Sequence, residues 1–194
     1  MSFIESTGEA EATGAVAELY DRLRGADGLP NWARLFSLKP EVLAGWQALL
    51  GAVRSGQDLR RYELATIGAA RALTSSYCLL AHGQVLLADG MEAEVLAEIG
   101  ETGTSGALSS ADRAVLGFAA KVARDASGIV PADIDALRAE GLSEREIFDV
   151  AATAAARCFF STLLDALGAR PDRGFGALPE PLRAALTPGR AIAE

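Results

Sequence analysis

Apolar residues recur every three to four positions along most of the chain, which is the period of an amphipathic α-helix. Pro40 stands at the first position of one such segment, where Leu43, Trp46 and Leu50 fall on one face. Capping signals and glycine or proline stops bound the other segments. The predicted helices run from a capping box at 6–9 to residue 24, then over 32–38, 40–54, 59–73, 76–89, 92–99, 111–126, 131–140 and 144–167. The pattern therefore predicts an all-α fold.

The last long helix has a clear end, because Gly168 and Pro171 follow it. We interpret residues 1–168 as one helical domain with its motif core at 59–90, and residues 169–194 as an extended tail with a short helix near 182–186. The tail is either a partly disordered end or an arm that lies over a neighbouring subunit. Similar ends of the long helices in the two halves leave an internal helical duplication as a hypothesis.

Composition narrows the class of protein. The 194 residues are 50% hydrophobic, so the chain can bury a core without disulfides, and its two cysteines fit a reducing cytoplasm. A net charge of −8 argues against a nucleic-acid partner. The N-terminus lacks the basic start and apolar core of a signal peptide, and no run reaches eighteen apolar residues, so we expect no membrane span. The glycines at 100–106 lack the lysine of a phosphate-binding loop and indicate a linker.

The only histidine, His82, lies four residues after Cys78. Residues so spaced are stacked neighbours on a helix, where a thiol and an imidazole can share a proton. Thr74, Ser75 and Ser76 are candidate N-caps that place Cys78 in the first turn, near the positive end of the helix dipole. We therefore expect the pKa of Cys78 to lie below that of a free thiol.

A carboxylate on the preceding segment completes a candidate site. Asp58 is a candidate N-cap for the helix that carries Glu63, and a tight turn at 74–76 would pack this helix against the Cys78 helix. Glu63 would then face His82, giving a carboxylate, an imidazole and a thiol in sequence. Two alternatives stay open: a relic site without turnover, and a metal site in which the same three side chains are the ligands.

This spacing carries a family resemblance. Glu63, Cys78 fifteen residues later and His82 four residues after that, with Tyr77 before the cysteine, resemble the carboxymuconolactone decarboxylase and alkylhydroperoxidase D superfamily, closest to its peroxidase-related branch. The likeness is strongest over residues 59–90 and extends loosely over 30–175. Thiol-active members carry a Cys-x-x-Cys pair, and Ser75 stands in place of the first cysteine. The resemblance implies an all-helical trimer or hexamer and a proton relay from Cys78 through His82 to Glu63.

The resemblance implies a thiol-dependent, peroxidase-like antioxidant protein that uses no cofactor, in which Ser75 cannot form a disulfide with an oxidised Cys78. A peroxide would oxidise Cys78, and an external thiol would recycle it, while Tyr77 lines the pocket and Ser75 donates a hydrogen bond. The alternative is a decarboxylase, a lactone-handling enzyme or a non-catalytic binding protein. Arg71 is the nearest candidate for binding a substrate carboxylate in that case.

The second cysteine, Cys158, lies in an alanine-rich segment. It has either a packing role or the role of a resolving thiol. The adjacent Arg157 is expected to extend to solvent, as arginines on helices usually do.

Overall fold

The computed structural model describes residues 2–194 and contains no strand within that range. The all-α prediction is confirmed. The helices are α1 Gly14–Leu23, α2 Asn31–Leu35, α3 Pro40–Arg54, α4 Leu59–Ala72, α5 Ser76–Ala88, α6 Ala93–Thr102, α7 Ser110–Asp125, α8 Pro131–Ala139, α9 Glu144–Ala166 and α10 Glu180–Ala185. Short 3-10 turns cover Glu9–Glu11, Phe36–Leu38, Ala126–Gly128 and Arg173–Ala177.

Local capping explains why most predicted helix ends agree with the structure. The Asp58 carboxylate accepts the Arg61 backbone N–H at 2.9 Å at the start of α4. At the start of α9, the Ser143 N–H donates to Glu146 Oε2 at 2.8 Å and the Glu146 N–H donates back to Ser143 Oγ at 3.3 Å. Gly141 precedes α9 with a φ of 88°, a left-handed conformation that favours glycine. These signals are local in sequence, so they can be recognised without knowledge of the tertiary contacts.

The first predicted helix begins later than its sequence suggests. Residues 6–9 do not form a capping box, and α1 starts only at Gly14. The reason is that the Glu9 carboxylate bonds Arg24 at 2.7 Å and Arg34 at 2.6 Å instead of reaching back to the chain start. These long-range ion pairs therefore occupy the Glu9 carboxylate, which the predicted capping box requires.

Helix α4 is the centre of the fold, with α5, α7 and α9 packed around it. Every residue from Tyr62 to Ala70 is buried. The crossing with α7 is so close that a Cβ on Gly68 would lie 2.4 Å from the Leu116 carbonyl oxygen. This crossing fixes the position of Glu63, which lies five residues before Gly68 on the same helix.

Helix α9 is long and apolar enough to cross a membrane by length and composition, but half of its most apolar stretch is buried inside the protein. It packs on α3, α4 and α7. This is the packing of a core helix in a globular domain. It brings Arg157 and Ser161 into the interior, where both are buried.

Residues 169–194 pack on their own chain rather than extend away from it. Phe175, Leu182 and Leu186 are buried, and α10 lies against α6. The backbone N–H of Gly189 donates to Ser76 Oγ at 2.8 Å, at the first residue of α5. The tail is thus folded rather than extended as its prolines suggest, because its apolar residues pack against the helical domain. Its role as an arm between subunits stays a prediction, as does the internal duplication.

Candidate active site

A cavity of about 520 Å³ lies between α3, α4, α5 and α9, and it contains Glu63, Cys78 and His82. Most of its walls are apolar or aromatic. They include Trp32, Trp46, Leu50, Tyr62, Tyr77, Phe160 and Leu164. The three side chains that the sequence singled out therefore share one largely apolar cavity, where charge interactions are stronger than in water.

Glu63 and His82 are in direct contact. His82 Nδ1 lies 2.6 Å from Glu63 Oε2, and the two side chains are 17% and 3% exposed. Burial lowers the pKa of His82, the nearby charge of Arg157 lowers it further, and the Glu63 carboxylate opposes both effects. The imidazole is therefore neutral near pH 7, and Nδ1–H donates to the carboxylate. This assignment leaves Nε2 as an unprotonated acceptor.

Cys78 lies in the first turn of α5, as predicted, and is 3% exposed. Ser161 Oγ donates to Cys78 Sγ at 3.1 Å. Burial raises the pKa of Cys78, and the Ser161 hydrogen bond, the charge of Arg157 and Ser75 lower it only in part. The expectation of a lowered pKa is wrong, because removal of the thiolate from water outweighs its position near the helix start.

Tyr77 and Ser75 flank the thiol in different ways. The Tyr77 hydroxyl makes a short hydrogen bond to Asp172 of the tail, and burial with this carboxylate raises the pKa of Tyr77, so the phenol stays protonated. Ser75 is fully buried as the N-cap residue of α5, and its hydroxyl has no well-formed hydrogen bond. It lies near enough to Cys78 and Asp165 to lower the pKa of each.

Two candidates from the sequence lie elsewhere. Arg71 donates to the carbonyl oxygens of Gly100 at 3.0 Å and Glu101 at 2.7 Å, so it caps the end of α6 and does not line the cavity. Cys158 is partly buried on α9 and also stands outside the cavity lining. Both cysteines are free thiols. The structure thus does not bring the predicted substrate cation to the reactive group.

Arg157, unlike Arg71, places a cation in the lining of the cavity. It is 3% exposed and lines the cavity, so the expectation that it extends to solvent is wrong. Its Nη2 donates to Tyr62 Oη at 2.5 Å, and Cζ lies 5.4 Å from the Trp46 ring centroid and 5.7 Å from that of Tyr62. The signal available in the sequence was a lone arginine within an alanine-rich run that ends in two phenylalanines.

The arrangement offers a neutral imidazole base beside a buried thiol, with a guanidinium nearby. Within residues 2–194, no three histidine, cysteine, aspartate or glutamate side chains are grouped so as to hold a metal ion. Glu63 orients the imidazole, and the free Nε2 can accept a proton from a group in the cavity. The site therefore has the parts that a base-assisted thiol nucleophile requires.

Solved structures show the same fold. An uncharacterised peroxidase-related protein from Ralstonia eutropha JMP134 with an alkylhydroperoxidase AhpD core is 22% identical, covers 92% of this chain and 98% of its own, and has a TM-score of 0.78. A peroxidase-related protein from Silicibacter sp. TM1040 is 21% identical, covers 83% and 86%, and has a TM-score of 0.71. The debrominase Bmp8, as a cysteine-to-alanine variant in complex with 2,3,4-tribromopyrrole, is 17% identical, covers 93% and 94%, and has a TM-score of 0.67.

The sequence itself matches the carboxymuconolactone decarboxylase family over residues 40–121. None of the curated proteins is a significant match. The matched range includes Glu63, Cys78 and His82, and it spans α3 to α7. The sequence match and the solved structures agree on the fold: residues 40–121 are similar to the carboxymuconolactone decarboxylase family, and the chain has the all-α fold of alkylhydroperoxidase D-like proteins.

Proposed function

We propose that this protein is a thiol-dependent, peroxidase-like enzyme with Cys78 as its single reactive cysteine. The observation that carries the proposal is the 2.6 Å hydrogen bond between Glu63 and His82 in the same cavity as the thiol. A raised thiol pKa requires a base to remove the proton during attack, and His82, one helical turn from Cys78, is the candidate.

The proposed oxidation step proceeds as follows. Cys78 Sγ attacks the outer oxygen of a hydroperoxide while its proton passes to His82 Nε2. An S–O bond forms, the O–O bond breaks, and the departing alkoxide takes the proton from His82 to leave as an alcohol. The sulfur is oxidised by two electrons to a sulfenic acid, and the peroxide is reduced by the same two electrons.

An external thiol completes the cycle, because Ser75 offers no second sulfur and Cys158 stands outside the cavity lining. The external thiol attacks the sulfenic sulfur, water leaves, and a mixed disulfide forms. A second molecule of the thiol then attacks this disulfide and releases Cys78 as a thiol. The small substrate and the thiol reductant are the two proposed partners.

A second candidate follows from the fold of Bmp8, which is named as a debrominase and binds 2,3,4-tribromopyrrole. The cavity of this chain is lined by flat aromatic side chains and holds the cation of Arg157. A member that binds or transforms a small flat ring, rather than a peroxide, is consistent with these walls. The two candidates differ in whether peroxide oxidises Cys78.

We further propose that the chain forms a homo-oligomer, a trimer or a hexamer, in the cytoplasm. An apolar groove of about 760 Å³ runs between α3 and α9 on the surface. Leu49, Phe148 and Phe159 line it and are 55%, 71% and 46% exposed. Large exposed apolar side chains grouped in this way are typical of protein interfaces, and the two free thiols fit a reducing compartment.

The test is peroxide oxidation followed by sulfenic-acid labelling and mass spectrometry. We expect the label on Cys78 in the parent and in the matched control Cys158→Ser, and no label at position 78 in Cys78→Ser. His82→Gln should slow the oxidation about a hundredfold or more, since general-base catalysis contributes about 10²–10⁴. An unlabelled Cys78 under excess peroxide, or an unchanged rate in folded His82→Gln, would contradict the proposal.

A further inference from the structure

Arg157 is a buried cation without a compensating carboxylate. Its guanidinium makes no ion pair within 4.0 Å among the described residues, and its one hydrogen bond goes to the neutral Tyr62 hydroxyl. Nε is buried with no acceptor, and no acceptor is found for Nη1 either. An unpaired charge in an apolar interior is costly, so such a group usually has a ligand or a function.

The charges that face the cavity leave an excess of one positive charge. Arg157 and the exposed Arg54 at the cavity wall are cationic, while Glu63 is the one carboxylate among the lining residues. His82 is neutral because its pKa is lowered. Asp165 lies outside the lining and faces Arg190 of the tail at 3.9 Å. A bound monoanion would therefore meet a lining with two cations and one carboxylate.

The walls set the shape of the rest of the ligand. Trp46 stacks on Phe160 with ring centroids 4.3 Å apart, and Trp32 meets Phe160 edge-on at 5.4 Å. Together with Tyr62 and Tyr77 they surround a volume of about 520 Å³, within the range of about 300–1,000 Å³ that is usual for small-molecule sites. Flat aromatic walls of this size suit a ligand of one ring.

We propose that the cavity binds a small aromatic or similarly flat monoanion whose carboxylate pairs with the Arg157 guanidinium. The anion accepts from Nη1, for which no acceptor is found within the protein, and the ring lies against the tryptophans. A guanidinium N–H to a carboxylate is a charge-assisted hydrogen bond, stronger than one between neutral groups. This inference deepens the proposed function. Only the statement that the bound anion is a substrate of Cys78 rests on that function; the binding itself does not.

The test is a fluorescence titration with benzoate, because the chain has two tryptophans and both line the cavity. Benzamide is the neutral probe of the same shape. We expect benzoate to bind, benzamide to bind about tenfold to hundredfold more weakly, and Arg157→Gln to lose the difference. Arg124→Gln, which changes the net charge equally at an exposed site on α7, is the matched control and should bind as the parent does.

Equal affinity of the parent for benzoate and benzamide would overturn the inference, and so would an unchanged benzoate affinity in folded Arg157→Gln. The comparison of the two probes in the parent needs no variant, so it decides the question even where Arg157→Gln fails to fold. Titration of Cys78→Ala with benzoate separates the two proposals, because this variant has no thiol to oxidise and should still bind benzoate. Benzoate binding without sulfenic-acid formation in the parent removes only the proposed function, and peroxide oxidation without benzoate binding removes only this inference.

Discussion

Ser161→Ala tests the contact that holds the thiol. Ser161 is fully buried and its hydroxyl donates to Cys78 Sγ at 3.1 Å. This hydrogen bond lowers the pKa of Cys78 against the larger effect of burial. Alanine removes the donor and leaves only a small void, so the variant should keep its fold while the thiolate loses its nearest stabilising group.

The size of the effect follows from the hydrogen bond. A bond to a charged acceptor contributes about 1.5–3 kcal/mol, which corresponds to a thiolate fraction lower by about ten- to hundredfold. A more basic thiolate is also a better nucleophile, with a Brønsted coefficient of about 0.4–0.5, which offsets about half of the loss. At pH 7.5 we therefore expect the alkylation rate of Cys78 to fall about three- to fifteenfold.

The assay is the rate of iodoacetamide alkylation of Cys78 against pH, followed by mass spectrometry in the Cys158→Ser background. Ser127→Ala, at an exposed serine of the turn after α7, is the control for serine removal. The midpoint of the pH profile should move upward in Ser161→Ala and stay fixed in the control. A midpoint that stays or falls in Ser161→Ala, with an unchanged melting temperature, would refute the assigned role of this contact.

Three further predictions concern the fold, pH and assembly. Gly68→Ala should destabilise the protein by about 1–3 kcal/mol, because its Cβ would lie 2.4 Å from the Leu116 oxygen. The control Gly117→Ala, on the open face of α7, should stabilise the protein by up to about 1 kcal/mol. Equal melting temperatures of the two variants would contradict this prediction. Burial lowers the pKa of His82, so the folded protein favours the neutral imidazole. The resulting contribution to stability is fully present above about pH 6.5 and is lost as the pH falls through the lowered pKa. The melting temperatures at pH 7.5 and pH 5.5 should therefore differ more in the parent than in His82→Gln. Light scattering should show an oligomer that Phe148→Glu reduces toward 20.1 kDa, and a parent that is already a monomer would disprove the self-association.

The sequence predicted those parts of the molecule that depend on neighbours along the chain. The Asp58 cap, the Ser143 and Glu146 capping box and the first-turn position of Cys78 all depend on residues within a few positions. The contact between Glu63 and His82 could also be predicted, because the short turn between α4 and α5 makes the two helices pack against each other.

The rest of the site depends on how distant helices cross. Ser161 and Arg157 come from α9, and Trp46 comes from α3, so their approach to the cavity has no signature in local spacing. The raised pKa of Cys78 was missed for the same reason. Its position near a helix start is a local property, whereas its burial is the result of tertiary packing, in which Ser161 of α9 contacts the thiol.

Trp46 is the residue shared by the linings of the thiol cavity and of the surface groove, which both lie between α3 and α9. Its indole lines the thiol cavity on one side and the apolar surface groove between α3 and α9 on the other. A molecule that covers the groove and a ligand that occupies the cavity would therefore be separated by the Trp46 side chain alone. Thermodynamic reciprocity then links the two events: if occupation of the cavity changes the affinity at the groove by some factor, coverage of the groove changes the affinity of the cavity by the same factor.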